Sequence, residues 1–144
     1  MVKVAVGGVI YNRGKYLLVQ EAQAKCHGKW NIPTGKLELN ESVLEGTVRE
    51  IKEETGCDVS ITGILQIVNK KCENNNILMF TFATKLVNLN IGYSKDEILD
   101  AKWFSYEEIM NMDGQLRDYE VITSAIDKHY HKEFVDLNIL KILN

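Results

Sequence analysis

Apolar and polar positions alternate along this chain with two different periods, and the change of period marks out its elements. Val2 to Tyr11 is a nearly unbroken β-branched and apolar run, which reads as a strand. Asn12-Arg13-Gly14-Lys15 reads as a turn and Tyr16 to Gln20 as a second strand, so the two are expected to form a hairpin. Glu21 to Gly28 is polar and loop-like. Further strands are expected over 58–69 and 76–87, joined by the hydrophilic stretch 70–76, and another near Leu99 to Phe104.

The helical period appears three times. Ser42-Val43-Leu44-Glu45 fits a capping box with Asn40 as a competing cap, and Gly56 suits the left-handed position that ends a helix. Ser105-Tyr106-Glu107-Glu108 fits a second capping box before a short helix. Arg117 to Phe134 carries Val121, Ile122, Ala125, Ile126 and His129 at helical spacing. The apolar tail 135–144 fits either the body of the molecule or a second subunit, so a homodimer is compatible with it. Strands and helices interleave without regular repetition, which points to an α+β fold with a mixed sheet.

On a wheel at about 100° per residue, Leu44, Val48 and Ile51 form one stripe of the first long helix, expected to be its buried face. Glu50, Glu53 and Glu54 fall well away from that stripe and close to one another. Like charges three and four residues apart repel by a few tenths of a kcal/mol per pair, roughly 0.2–0.5. Two readings compete: a solvated charged face diluted by Arg49 and Lys52, or a cluster of hard oxygen donors awaiting a divalent cation. Gly46 is costly inside a helix, about 1 kcal/mol relative to alanine. Its missing side chain either leaves space beside the acids or admits another backbone. Arg49, four residues before Glu53, is placed to pair with it.

Composition narrows the partners. The chain has 144 residues, 45% hydrophobic, with a formal net charge of -3 and a pI near 5.6. It lacks the basic footprint of a nucleic-acid binder, so no DNA or RNA polymer is expected. One proline, Pro33, and the absence of repeats or linkers fit a single domain over 1–144. Three widely spaced cysteines, Cys26, Cys57 and Cys72, make neither a disulfide framework nor a zinc site and fit a reducing, cytoplasmic setting. The N-terminus lacks the pattern of a signal peptide, and no run approaches the roughly 18 apolar residues of a membrane span.

The segment 35–57, GKLELNESVLEGTVREIKEETGC, resembles the Nudix box, G-x5-E-x7-R-E-U-x-E-E-x-G-U with U a bulky aliphatic residue. Gly35, Glu41, Arg49, Glu50, Ile51, Glu53, Glu54 and Gly56 match in register, and Cys57 departs at the last aliphatic position. The flanks agree: WNIPTGKLE (30–38) resembles the strand and loop before the box, with Thr34 and Asn40 where glycine is frequent, and 96–109 resembles a late strand and helix of that family. The resemblance implies an α/β/α sandwich with a mixed central sheet and a loop-helix-loop catalytic box. It implies hydrolysis of a nucleoside diphosphate linked to another group by water attack on phosphorus, with Mg²⁺ or Mn²⁺. By position, Glu50, Glu53 and Glu54 match the metal-binding acids and the Gly35 carbonyl a further ligand. Arg49 matches the arginine that orients the glutamates, and Glu41 an acid that reaches metal through water. The base is one of the box acids or a glutamate in a later loop, here Glu97.

Markers of the ADP-ribose and dinucleoside polyphosphate specialists are absent: no proline follows Pro33, and 73–75 is Glu-Asn-Asn where a tyrosine would be sought. The pattern is more similar to small, broad-specificity nucleoside di- and triphosphate phosphatases. Trp30, Tyr11 and Phe80 are candidates to stack on a base, with the core as the competing assignment, and Arg117 is a candidate substrate contact. Two other readings remain beside the hydrolase: a non-catalytic Nudix domain that senses a nucleotide or scaffolds a partner, and an isoprenyl diphosphate isomerase on the same fold. Retention of every box acid disfavours the first, and no additional catalytic cysteine and glutamate can be placed for the second.

Overall fold

A computed structural model describes residues 1–144. The strands are β1 (Val2–Val9), β2 (Tyr11–Asn12), β3 (Lys15–Glu21), β4 (Trp30–Asn31), β5 (Thr34–Lys36), β6 (Asp58–Lys71), β7 (Asn76–Asn88) and β8 (Ile98–Phe104). The helices are α1 (Val43–Thr55), α2 (Tyr106–Met110) and α3 (Tyr119–Tyr130), with single 3₁₀ turns at Ala24–Cys26 and Leu137–Ile139.

One sheet has the order β5-β1-β7-β6. In it β1 runs parallel to β7, while β5–β1 and β7–β6 are antiparallel, so the sheet is mixed. In the second, β3 pairs with β2 and β4 along one edge and with β8 along the other, all antiparallel. The expected hairpin is therefore only partly formed. Arg13 and Gly14 take positive φ (50° and 83°), the turn a two-residue hairpin needs, but it joins β3 to the two-residue β2. The rest of the first apolar run belongs to the other sheet, because β7 and β5 flank β1 on both sides. Ile10, fully buried, is where the chain passes between sheets.

Alternation along β3 sends side chains to two cores. Tyr16 and Leu18 join Trp30, Leu65, Ile109, Ile122 and Ile126 beneath α2 and α3. Leu17 packs with Ile10, Ile51, Cys57 and Val59 beneath α1. The architecture is a mixed-sheet α+β sandwich with α1 on one side and α2 and α3 on the other.

Both capping boxes form as the spacing predicts, at Ser42/Glu45 and Ser105/Glu108. The third helix is shorter than its apolar period, because Asp118 caps it and the chain leaves it at His131. The tail then returns to the body: Val135 exchanges two 2.8 Å backbone hydrogen bonds with Ile64 on the outer edge of β6. No helix is long and apolar enough to cross a membrane.

The expected stripe on α1 is only partly the buried one: Ile51 is fully buried and Leu44 half-buried, but the buried face is rotated to take in the acids. Its buried residues are Gly46, Thr47, Glu50, Ile51, Glu54 and Thr55, whereas Val48 is exposed. The helix lies across β1, β5 and β6, and the side turned toward β1 and β5 carries two of the three acids. Gly46 explains the geometry. A Cβ there would lie 2.8 Å from Leu37 Cδ1, 2.9 Å from Glu41 Oε1 and 3.1 Å from Val6 Cγ2. The residue leaves no space beside the acids; it lets helix and sheet approach closely.

Candidate active site

The acids of α1 are held in place from both ends of the helix. Ser42 Oγ accepts from Glu45 N at 3.1 Å while Glu45 Oε1 accepts from Ser42 N at 2.8 Å, which starts the helix at Val43. Gly56 (φ 80°) closes it, and Gly92 N donates to Thr55 O at 2.9 Å, tying the 89–97 loop to that end. The same loop carries Glu97, whose carbonyl accepts from Ala22 N at 3.0 Å.

Arg49 organises the acid cluster. Its Nε and NH2 donate to the two oxygens of Glu41 at 2.9 and 2.7 Å, and NH1 donates to Glu50 at 2.8 Å and Glu53 at 3.2 Å. NH2 also donates to the Lys36 carbonyl at 3.0 Å. The expected Arg49–Glu53 pair is present, but Glu41 is the closer partner through a bidentate contact. That contact holds the Glu41 carboxyl below its ordinary range and raises Arg49 above its own.

Glu50 and Glu54 are nearly inaccessible, at 9% and 8%. Burial raises the Glu50 carboxyl, against the pull of Arg49. A Cβ on Gly35 would collide with the Glu50 carboxylate, so glycine is required for that acid to lie against β5. Glu54 is pushed up to about 9, first by burial, then by the charges of Glu21 and Glu50. Its one hydrogen bond comes from Thr34 N at 3.2 Å. A carboxylate with one backbone donor, buried among other acids, lacks a positive partner.

No three His, Cys, Asp or Glu side chains converge as a finished metal cage. Glu50 and Glu53 turn toward Arg49, and Glu54 toward Thr34. The donor chemistry nevertheless fits a hard divalent cation: every candidate ligand is an oxygen, and the charge missing beside Glu54 is positive.

Glu97 is exposed, and its charge contributes to the upward shifts of Glu50 and Glu54. Trp30, considered for base stacking, sits in the core, edge-on to Phe104 at 5.0 Å and with Lys102 over its ring. Its backbone has a different use: Trp30 N donates to Gln115 O and Trp30 O accepts from Arg117 N, both at 2.9 Å. That short parallel bridge seats Arg117, whose NH1 lies 3.5 Å from Glu21. Of the other aromatics, Tyr11 is partly exposed beside Tyr16 and His129, and Phe80 stacks along β7 on Phe82.

Sequence reasoning passed over Glu21. It closes β3, is 3% exposed, and accepts from Asn31 Nδ2 at 3.2 Å. An acid two residues after the apolar run Tyr16–Val19 was the available signal.

Residues 1–125 match the family model of the NUDIX domain. The chain belongs to the Nudix family. It is 32% identical over 130 residues to "Nudix hydrolase 2" of Arabidopsis thaliana, covering 87% of this chain and 46% of that protein. It is 33% identical over 100 residues to "8-oxo-dGDP phosphatase NUDT18" of Danio rerio, covering 69% of this chain and 31% of that protein. This Nudix chain thus spans less than half the length of the curated relatives it matches. A solved NUDIX hydrolase from Nitrosomonas europaea superposes with a TM-score of 0.89 at 29% identity, covering 99% of this chain and 98% of that one. The α+β sandwich with its mixed sheet is the Nudix fold.

Proposed function

We propose that this Nudix domain hydrolyses a diphosphate linkage in small nucleotide-type substrates, nucleoside di- or triphosphates or a nucleoside diphosphate linked to another group, in the presence of Mg²⁺ or Mn²⁺. The observation that carries the reading is Glu54: a buried acid among acids, held by one backbone N–H, on the helix that bears the box. Family membership and the phosphatase name of the Danio rerio relative support the substrate class.

Glu50, Glu53 and Glu54 would hold the cation, with the Gly35 carbonyl as a further ligand. When bound, the cation neutralises phosphate charge and lowers the pKa of water. The protein's own parts have separable tasks. Arg49 keeps Glu50 and Glu53 in one orientation, and Glu41 anchors Arg49, so its link to metal runs through water or through that guanidinium. Glu53 and Glu97 are exposed acids, and one of them would take a proton from the attacking water. Arg117, 3.5 Å from Glu21, would contact the substrate.

The test is phosphate and pyrophosphate release from a panel of nucleoside diphosphates and triphosphates, 8-oxo-dGDP, ADP-ribose, a dinucleoside polyphosphate and a thiamine-precursor pyrophosphate, with and without Mg²⁺. Turnover of at least one substrate that stops on chelation is expected. Inactivity on the whole panel with Mg²⁺ and Mn²⁺ would leave the chain a binding module.

A further inference from the structure

Glu21 is the most deeply buried acid of the chain, yet it lies outside the box helix. The register of β3 against β8 shifts between Gln20 and Glu21, and a bulge of this kind re-aims the side chain that follows it. The carboxylate meets three side chains: Cys26 Sγ donates to Oε2 at 4.0 Å, and the other two share Oε1. Oε1 accepts from Asn31 Nδ2 at 3.2 Å and faces Arg117 NH1 at 3.5 Å. Ala22 N, the next residue along, donates to the Glu97 carbonyl at 3.0 Å, so this wall adjoins the loop that carries Glu97.

Arg117 is built into that wall rather than extended into solvent. The bridge to Trp30 fixes its backbone, and Lys29 Nζ bonds the Gly114 carbonyl one turn earlier in the same segment. Its side chain is 34% exposed, and Glu21 is its one side-chain partner. A guanidinium has five N–H donors, so most of them remain available. With Glu21 the pair carries no net charge. Such a pair is a poor receptor for a phosphate group, which the metal side of the site serves better. It suits an uncharged edge with adjacent acceptor atoms, the pattern an arginine fork meets at the carbonyl and ring nitrogen of guanine.

We infer that Glu21 is the positioning residue of a base subsite, fixing Arg117 so that its free donors take the adjacent acceptors of a purine base. The assignment rests on the reading of the site as a nucleotide hydrolase and names the part of the nucleotide that this wall holds.

The test compares guanosine diphosphate with methyl diphosphate, which lacks a base, as substrates of the full chain with Mg²⁺. Glu21→Gln and Arg117→Ala should each lower kcat/KM for guanosine diphosphate about tenfold relative to methyl diphosphate, chiefly through KM. The double variant should fall no further than Arg117→Ala alone. An equal fall on both substrates, or no fall, would make Glu21 purely structural and overturn the inference. Arg117→Ala keeps the test open should Glu21→Gln not fold. Calorimetric binding of GMP without metal separates the two readings. Binding weakened about tenfold by either variant in a chain that hydrolyses nothing would uphold the subsite and remove the hydrolase. Active wild type whose GMP binding is absent, or indifferent to both variants, would do the reverse.

Discussion

Replacing Glu54 by glutamine should stabilise the metal-free protein, and by an amount that depends on pH. In the folded chain this carboxyl titrates near 9 rather than at its ordinary 4.5, because it is buried beside Glu21 and Glu50. The folded state therefore keeps a proton that the unfolded chain releases above about pH 4.5. Stability falls as pH rises through that window, by at most about 1.4 kcal/mol per unit, and flattens above pH 9. Between pH 4.5 and pH 7 the loss is of order 3 kcal/mol. Glutamine keeps the shape and the bond from Thr34 N without the titration. At about 2.1 cal/mol/K per residue, a chain of this length shifts Tm by roughly 3 °C per kcal/mol. Glu54→Gln should then raise Tm by up to about 10 °C at pH 7 and leave it nearly unchanged at pH 4.5. Thermal melts in EDTA across pH 4.5–9 provide the assay. A wild-type Tm that does not fall over that range, or a variant less stable than wild type at pH 8, would refute the reasoning.

Other perturbations probe neighbouring parts of the site. Gly35→Ala forces the Glu50 carboxylate, the far end of a flexible side chain, from its place and should remove most of the turnover at little cost in stability, read by phosphate release and denaturant melts. Arg49→Lys loses the bidentate contact to Glu41 and one point of support for Glu50, so kcat should fall while an exposed-surface control, Lys141→Ala, leaves it unchanged. Removing the acid that serves as general base should lower kcat by about 10²–10⁴. Measuring Glu53→Gln and Glu97→Gln side by side under saturating Mg²⁺ tells which of the two it is. If both keep full rate, the proton goes elsewhere.

Much of this site was legible in the sequence because its signals are local. The capping residues Ser42, Glu45 and Gly56 and the register of the box acids need nothing beyond a helix to be read. Long-range packing hid the rest. Leu44, Val48 and Ile51 form the most apolar stripe of α1, yet the helix turns Glu50 and Glu54 toward the sheet because Gly46 permits close approach there. The apolar run at the N-terminus does not reveal that β7, some seventy residues later, claims it from β3. Glu21 was invisible for the same reason, since its partners Cys26, Asn31 and Arg117 come from three other segments. Trp30 was legible as an important position but not for its role, which is to hold Arg117 through its backbone.

The account turns on the acids of α1 being a divalent-cation site. Electron paramagnetic resonance titration of Mn²⁺ into the metal-free chain, with Mg²⁺ as competitor, tests this most directly. Wild type should bind Mn²⁺ displaceably by Mg²⁺, and Glu50→Gln and Glu54→Gln should each weaken that binding severely while remaining folded. Mn²⁺ binding of the same strength in all three proteins, or none in wild type, would contradict it.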